Sequence, residues 1–477
     1  MVFSSSIFIF IFLPLVIFLY YLCDKKVRNY ILLLASLVFY ACGGISYLKI
    51  LLVSILINYI FGVLIDSLDI KENSSNNKRK FNKLKKTCLA IGVFLNLGLL
   101  FYYKYYDFFL ENLNMVLGSN IQFKNIVLPI GISFFTFQGM SYIIDIYRKD
   151  AKVNRNLFSV ALYISLFPQL VAGPIVKYKS VDKEIRKREE SVGEFSYGIS
   201  RFVIGLAKKV IIADVLGGVA DEVFILVNTS GIDIITAWLG AICYSLQIYF
   251  DFSGYSDMAI GIGHFFGFKF IENFNYPYIS KSITEFWRRW HISLSTWFKE
   301  YLYIPLGGNR TGNVYFNLFI VFLVTGLWHG ASWNFVIWGL WHGLFIIMER
   351  FARDKEWYKN IPSGIKAFST LFIVLIGWVL FKADNLSTAM KYLSTMFGLI
   401  SFNNITFEVS YFIQVKTMFL IVVGIIFSTP ILKIVVSKYK EKRYFETVKN
   451  ILIILLFIIA LIFMINSTYS PFIYFQF

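Results

Sequence analysis

The sequence predicts an all-α protein that crosses a membrane many times. Of its 477 residues, 57% are hydrophobic and only 16% are charged, against about 25% charged residues in soluble proteins. The formal net charge of +17 lies mainly in short basic loops between apolar segments, where it favours contact with an anionic cytoplasmic leaflet. We therefore expect membrane lipids as surroundings and no nucleic acid partner, because no stretch is long enough for a soluble basic domain.

The first apolar segment, residues 6–22, is predicted to be a retained helix with the N-terminus outside. It has no basic stretch before it and no small-residue cleavage site after it. Segments 29–43 and 46–66 meet at Gly43-Gly44, which indicates a hairpin that does not fully cross. The strongly basic loop 71–86 places their far end in the cytoplasm.

The remaining apolar segments alternate with loops of consistent charge. The external loop 107–126 is weakly charged, and 216–233 holds acidic residues but no basic one, whereas 350–366 and 433–449 are basic and cytoplasmic. Together with the first helix and the hairpin, these apolar segments bring the prediction to about eleven spans. A further stretch, 386–399, is expected to lie at the membrane interface. The predicted spans are 87–106, 127–147, 196–215, 234–267, 314–330, 333–349, 367–381, 412–432 and 450–467.

A segment at 157–176 is interrupted by Phe167-Pro168-Gln169-Leu170-Val171-Ala172-Gly173-Pro174. Two prolines and a glycine leave backbone groups unpaired, which lipid does not tolerate. We expect a broken or re-entrant element buried in protein. Such an element lines a substrate path in many membrane proteins, but a simple kink explains the pattern equally well.

Ionisable side chains inside apolar segments mark candidate functional positions, because they are costly at membrane depth. His329 lies in the stretch Thr325–Asn334, and Asp251 lies in the span 234–267. Asp251 and Asp257 are six residues apart, about 240° around a helix, so they do not form a paired acid and base. The four cysteines, which are far apart and form no C-x-x-C motif, predict neither a disulfide nor a metal site.

Residues 284–300 are predicted to form an amphipathic helix at the membrane interface, with aromatic residues on one face and charges on the other. His291 falls at the edge of the apolar face, turned toward the protein or the headgroup boundary and away from bulk water, and two neighbouring arginines should keep it neutral. An ordinary boundary histidine remains the alternative. His342 lies thirteen residues after His329, too far along one continuous helix to share a site, so His342 and His264 are expected to be structural.

The motifs of several enzyme classes are missing from the sequence. There is no G-x-S-x-G, H-E-x-x-H or G-x-x-x-x-G-K-[ST], which excludes the usual serine hydrolases, zincins and P-loop enzymes. A histidine base remains: it would take a proton from a hydroxyl that attacks an activated acyl group such as a thioester.

The histidine-containing stretches resemble the membrane-bound O-acyltransferase (MBOAT) family, and most closely its bacterial AlgI-like branch, which is associated with polysaccharide O-acetylation. The resemblance runs nearly from end to end. The stretches that carry it are Met1-Val2-Phe3-Ser4-Ser5, Phe252-Ser253-Gly254-Tyr255-Ser256-Asp257, Trp287-Arg288-Arg289-Trp290-His291-Ile292-Ser293, Tyr303-Ile304-Pro305-Leu306-Gly307-Gly308-Asn309-Arg310, Thr325-Gly326-Leu327-Trp328-His329-Gly330 and Tyr469-Ser470-Pro471-Phe472-Ile473-Tyr474-Phe475.

The resemblance implies a single membrane domain, 1–477, in which the helices form a disc around a central tunnel. Some of these helices are expected to be re-entrant or interfacial. N-terminal helices occupy 1–147, a core with both histidines 148–399, and C-terminal helices 400–477. His329 takes the position of the family's principal catalytic histidine and His291 that of its second. Nine further residues are expected to line the tunnel or bind substrate: Trp328, Asn334, Asp251, Ser253, Tyr255, Gln247, Arg289, Pro305 and Asn309.

The resemblance also implies the substrates and partners. We expect no permanently bound cofactor, a donor that is acetyl-CoA or a protein-bound acyl thioester, and a polysaccharide acceptor outside a bacterial cytoplasmic membrane. A separate extracytoplasmic SGNH-type acetyltransferase or an acyl-carrier protein is the expected partner. D-alanyl transfer to teichoic acid remains an alternative.

A secondary transporter is the alternative from another class. The broken element at Pro168–Pro174, the buried Asp251 and an intramembrane histidine would suit one. No inverted repeat links the two halves, however, and the Trp-His-Gly stretch has no evident role in transport.

Overall fold

The computed structural model describes residues 1–124, 126–402 and 405–466. Those residues form helices and connecting turns without a β-strand, which confirms the all-α prediction. The closing stretch Tyr469–Phe475 lies outside the described residues. Two compact units are present: Met1–Phe202 with Met258–Ile271, and Val203–Asp257 with Glu272–Phe477. The division at 147 and 399 stays a prediction.

In the first unit, α3 packs against α4 and α6. The unit begins with a π-helical turn, Phe8–Phe12, and a second one, Phe101–Tyr105, joins α4 to α5. Its helices are α1 (Leu13–Leu22), α2 (Arg28–Ala41), α3 (Ile45–Ser74), α4 (Lys78–Leu100), α5 (Tyr106–Leu117), α6 (Ile132–Arg148), α7 (Leu157–Ser165), α8 (Phe167–Leu170), α9 (Tyr178–Arg186) and most of α10 (Val192–Ala207).

The second unit holds the predicted site residues. A π-helical segment, Lys208–Ala213, leads into it, and short turns of 3₁₀ and π helix cover Pro277–Ile279 and Lys299–Tyr303. Its helices are α11 (Asp214–Thr229), most of α12 (Ile234–Phe265), α13 (Ile283–Arg289), α14 (Ile292–Phe298), α15 (Val314–His329), α16 (Trp333–Ala352), α17 (Glu356–Lys359), α18 (Ser363–Lys382), α19 (Leu386–Met396), α20 (Val409–Phe412), α21 (Val415–Phe427), α22 (Ile431–Tyr439) and α23 (Phe445–Asn466).

Fewer helices are long enough to cross a membrane than the eleven or so predicted. Among the described residues, six helices are long and apolar enough, or seven if the bent pair α21 and α22 counts as one span. The difference has a physical reason: several predicted spans are short, like the apolar helix Val314–His329, or broken.

Two predictions about the path of the chain were wrong. The second arm of the supposed hairpin is α3, whose 30 residues are long enough to span a bilayer. The supposed external loop 216–233 is helical as far as Thr229. Acidic residues suggested a loop there, but Asp221 forms an ion pair with Lys382 and is accommodated within α11.

The broken element is confirmed. α7 ends at Ser165, α8 provides one turn, and the chain from Leu166 to Val176 is buried without a continuous helix. Polar groups of the protein satisfy part of its backbone: the Phe167 N–H donates to Ser36 Oγ at 3.1 Å. This is how irregular backbone persists in an apolar protein.

Candidate active site

His329 is the last residue of α15, at a sharp turn between two antiparallel helices. α15 ends because Gly330 is extended, and α16 begins three residues later at Trp333. The side chain of Asn334 fixes this turn, since its Nδ2 donates to the carbonyl oxygen of Ala383 at 2.7 Å and its Oδ1 contacts Ser332 Oγ. The turn is thereby anchored to the end of α18.

Two glycines let α15 and α16 approach closely next to this turn. A Cβ atom added at Gly339 would lie 2.9 Å from Gly326 Cα, too close for any side chain. The two backbones therefore touch. This contact determines where His329 stands relative to the first turns of α16.

Aromatic rings enclose the His329 imidazole, which is 4% exposed. Its ring centroid lies 4.9 Å from Trp328, 4.8 Å from Trp338 and 5.2 Å from Phe381, each with ring planes within 15° of perpendicular. In such a low-dielectric setting, electrostatic interactions are stronger than in water. These ring contacts hold the imidazole in one orientation.

The predicted interfacial helix is not one helix. α13 ends at Arg289, α14 begins at Ile292, and His291 between them has a left-handed backbone, with φ 44°. A residue other than glycine rarely adopts this conformation. The break turns His291 inward, where it is completely buried. This agrees with a side chain turned toward the protein and not with the alternative of an ordinary boundary histidine.

Asn273 fixes the tautomer of His291. Asn273 Oδ1 lies 3.1 Å from the Ser293 N–H, which can only donate, and 3.2 Å from His291 Nδ1. Because an oxygen acceptor cannot donate in return, Nδ1 carries the hydrogen. In the neutral ring, Nε2 then carries the lone pair that a base or hydrogen-bond acceptor needs.

His291 is neutral for a different reason from the one predicted. Burial lowers its pKa to about 3, because a charged imidazolium loses hydration inside the protein. Arg289 turns away and pairs with Glu285 at 2.8 Å. Desolvation, and not repulsion from neighbouring arginines, keeps the ring uncharged.

Trp328 brings the two candidate histidines to one place. Its ring centroid lies 4.9 Å from that of His329 and 6.3 Å from that of His291. On its far side His291 packs against Phe252 of α12 at 4.6 Å. The structure thus assembles α12, the α13–α14 break and the α15–α16 turn around one indole ring.

Asp251 and Gln247 lie on the part of α12 that faces α11. Asp251 pairs with Lys209 at 2.7 Å, and Lys209 also holds Asp214 at 2.6 Å. Gln247 packs on Gly217 of α11. Asp257 pairs instead with Lys208, which confirms that the two α12 carboxylates do not act as a pair. Asp251 therefore lies in a buried ion cluster with Lys209 and Asp214.

Three predicted lining residues are not brought to the buried histidines. Arg289 is half-exposed, and Pro305 and Asn309 lie on an exposed turn. Asn309 Oδ1 accepts hydrogen bonds there from Tyr303 and Arg350. Their motifs predicted a lining role, but the motif around Pro305 forms a surface turn.

Ser253 and Tyr255, the other two predicted lining residues, are both buried on α12. Their neighbour Ser256 accepts a hydrogen bond from Asn273 Nδ2 at 3.1 Å. The segment 252–256 therefore supports the His291 site from behind.

The predicted separation of His342 from His329 was wrong. It assumed one continuous helix, whereas the chain reverses at Gly330–Ser332. The Trp338 ring consequently contacts both imidazoles, at 4.8 Å from His329 and 5.1 Å from His342.

Sequence reasoning missed Asn273, Lys209 and Asp214. Charged residues at 208, 209 and 214 interrupt an apolar stretch, a signal that could have marked them, because charges in such segments seek buried partners. Asn273 stands in a loop with no pattern around it. No sequence signal pointed to its contacts with Ser293 and His291.

Comparison with known proteins places the chain in a family. The membrane-bound O-acyltransferase family model matches residues 148–381. The chain is also 40% identical over 500 residues to the probable alginate O-acetylase AlgI of Pseudomonas putida, and the match covers all of both proteins. The chain belongs to the membrane-bound O-acyltransferase family. It is a multi-pass membrane protein and an O-acyltransferase.

Other members of the membrane-bound O-acyltransferase family are similar over different lengths. The peptidoglycan O-acetyltransferase of Helicobacter pylori is 36% identical over 527 residues, which covers all of this chain and 98% of the relative. The teichoic acid D-alanyltransferase of Bacillus subtilis is 32% identical over 270 residues, which covers 53% of this chain and 66% of the relative.

Proposed function

We propose that this acyltransferase passes an acetyl group from a thioester donor on the cytoplasmic side, through a tunnel, toward hydroxyls of a polysaccharide outside. The full-length similarity to an alginate O-acetylase and a peptidoglycan O-acetyltransferase supports acetyl transfer and a polysaccharide acceptor. The observation that carries the chemistry is the meeting of two buried imidazoles, His329 and His291, at Trp328.

In this proposal His329 is the general base. The acceptor hydroxyl oxygen bonds to the thioester carbonyl carbon as His329 takes the hydroxyl proton, and the carbon–sulfur bond breaks. The imidazolium then gives this proton to the departing sulfur, so the products are an ester and a thiol. The aromatic rings around His329 exclude water, which would otherwise hydrolyse the thioester.

His291 holds or orients the acyl donor. Its Nδ1 hydrogen is committed to Asn273, and its Nε2 presents a lone pair from a ring that burial keeps neutral. A neutral hydrogen-bond acceptor in a fixed orientation suits an uncharged hydrogen-bond donor on the acyl donor, such as an amide N–H. This role separates donor binding from proton transfer.

Acetyl-CoA and a protein-bound acyl thioester are the two donors that this chemistry accommodates. An extracytoplasmic acetyltransferase of the SGNH type, or an acyl-carrier protein, would act with the chain as a separate partner. D-alanyl transfer is the second candidate reaction, since the teichoic acid D-alanyltransferase is similar over about half of the chain. The relatives reported above are named an O-acetylase, an O-acetyltransferase and a D-alanyltransferase, and none of the three is named a transporter.

The orientation belongs to the same proposal: a cytoplasmic membrane protein with its N-terminus outside. In this orientation the exposed residues Lys80 and Lys440 face the cytoplasm, and Thr229, at the end of α11, faces outward. Single cysteines placed at these positions, without the exposed Cys42, should react with a membrane-impermeant thiol reagent only at Thr229 in intact cells. Labelling at position 80 or 440 in intact cells would mean that the topology is the reverse of the one proposed.

Purified protein in nanodiscs with an added polysaccharide acceptor and radiolabelled acetyl-CoA, and separately with a carrier-bound D-alanyl thioester, tests the function. We expect wild-type protein to consume the acetyl thioester and His329→Ala to lose at least about 100-fold in rate, the scale of a lost general base. His264→Gln is the matched control, because His264 pairs with Glu194 in the first unit. Full activity of His329→Ala would remove this residue from the chemistry.

A further inference from the structure

His342 is the buried histidine that the proposed mechanism does not use. It lies in α16 and is completely buried. Its ring lies 5.3 Å from Trp287 and 5.1 Å from Trp338, and Phe286 stacks parallel to it at 6.2 Å. On the remaining side a Cβ added at Gly377 would lie 2.8 Å from His342 Nε2. The backbone of α18 therefore lies directly against the imidazole.

The polar atoms of this cluster are unsatisfied. Within the described part of the chain, neither nitrogen of His342 has a hydrogen-bond partner, and neither has the indole Nε1 of Trp287 or of Trp338. A buried polar group without a partner lowers stability, because it loses its hydration and gains no hydrogen bond in return. An apolar side chain would fill the space without this cost, so packing alone does not account for a histidine here.

Trp338 connects this cluster to the proposed base. The indole contacts both His342 and His329, with ring planes at 71° and 86°. The rings that pack on the two imidazoles from α13, α15, α16 and α18 are uncharged aromatics: Phe286, Trp287, Trp328, Trp338, Trp378 and Phe381. In this low-dielectric setting the dipole of a neutral imidazole acts over the width of one ring.

We propose that His342 is a positioning residue for acyl transfer, which braces Trp338 against His329 and supplies a polar group that stabilises the imidazolium formed there. The inference rests on the proposed function, in which His329 becomes protonated during each turnover. It replaces the sequence-based expectation that His342 is only structural. The unsatisfied nitrogens are then a stability cost retained for activity.

Two variants separate this role from simple packing. His342→Leu fills the site without a polar atom, and His342→Gln restores a donor and an acceptor. We expect His342→Leu to keep or raise the melting temperature yet lose about tenfold or more in kcat, with little change in KM for the thioester. In the pH dependence of kcat/KM, the acid limb of His342→Leu should move to lower pH, because the variant stabilises protonated His329 less. His342→Gln should recover part of the kcat.

The same nanodisc assay, with wild type, His329→Ala and His264→Gln beside these variants, decides the outcome. Wild-type activity and an unshifted pH limb in His342→Leu would overturn the inference, as would losses of activity in both variants that merely follow their melting temperatures. Failure of the proposed function gives a different result, namely a wild-type protein that consumes neither thioester.

Discussion

At the scale of single residues, Asn273 shows how one side chain sets the chemistry of another. Its Oδ1 accepts from the backbone N–H of Ser293 at 3.1 Å, from Ser293 Oγ at 2.9 Å and from His291 Nδ1 at 3.2 Å. One amide oxygen therefore holds both the left-handed turn at His291 and the tautomer of its ring.

Replacing Asn273 by Ala should reduce acyl transfer by at least about tenfold and lower the melting temperature, since the Ser293 N–H and His291 Nδ1 lose their acceptor. Initial rates and thermal melting in detergent measure both effects. Asn275→Ala is the matched control two residues away, where the side chain is exposed. Equal activity of the two variants would mean that the orientation of His291 does not matter.

His291 should also make the folded protein sensitive to acid. Its pKa is about 3 in the folded state and about 6.5 when unfolded, so between these values the unfolded state binds the additional proton. Stability therefore rises with pH across this window and falls as the pH drops from about 6.5 toward about 3, by up to about 1.4 kcal/mol per pH unit.

Melting temperatures of wild type and His291→Gln between pH 4 and 7 measure this dependence. The variant lacks the titrating ring, so its stability should decline less on acidification. If melting temperature depended on pH identically in the two proteins, His291 would not be a group that gains its proton on unfolding.

At the scale of elements, the sequence predicted the helical class and the broken segment at Phe167–Pro174, because prolines and long apolar runs act locally. It did not predict the break at His291. The hydrophobic pattern of 284–300 continues smoothly through that residue, and only tertiary contacts with Asn273 favour the left-handed turn. The expected distance between His329 and His342 was wrong because it assumed one continuous helix, although the sequence predicts separate spans at 314–330 and 333–349.

The glycine contact between α15 and α16 makes a prediction about this reversal. Gly339→Val should force the helices apart, because a Cβ already lies 2.9 Å from Gly326 Cα. We expect a lower melting temperature and loss of acyl transfer as Trp338 and His329 shift. Gly364→Ala in α18 is the control, since no atom lies within 4 Å of its Cβ and alanine is the better helix former. Unchanged melting and activity in Gly339→Val would contradict the contact.

A further prediction concerns the buried ion cluster of Lys209, Asp214 and Asp251 between α11 and α12. Lys209→Met leaves Asp214 and Asp251 buried without their shared cation and should destabilise the protein by about 3–5 kcal/mol. Adding Asp214→Asn and Asp251→Asn to Lys209→Met should restore much of this loss. Lys449→Met, which removes only a surface pair with Glu446, should cost less than about 1 kcal/mol. Denaturation of the four proteins in mixed micelles measures the differences, and equal stabilities of the two lysine variants would contradict the account.

At the scale of the whole molecule, the chain uses few long spans and many short or broken helices. Long helices such as α3, α12 and α23 suit a bilayer by length and composition. The two candidate site histidines stand instead where helices stop: His329 at the end of α15 and His291 between α13 and α14. Helix ends place side chains and backbone turns inside an apolar protein without leaving the chain exposed to lipid.

The measurement that tests the central claim most directly is acyl transfer across a sealed membrane. Vesicles containing the protein would hold a labelled acetyl thioester on the face shown to be cytoplasmic, with polysaccharide acceptor and any required extracytoplasmic partner on the other face. We predict label on the acceptor face with wild-type protein, little with His329→Ala, and wild-type amounts with His264→Gln. Transfer that is equally fast with His329→Ala, or label that never crosses although the thioester is consumed, would contradict a histidine-dependent transfer through this protein.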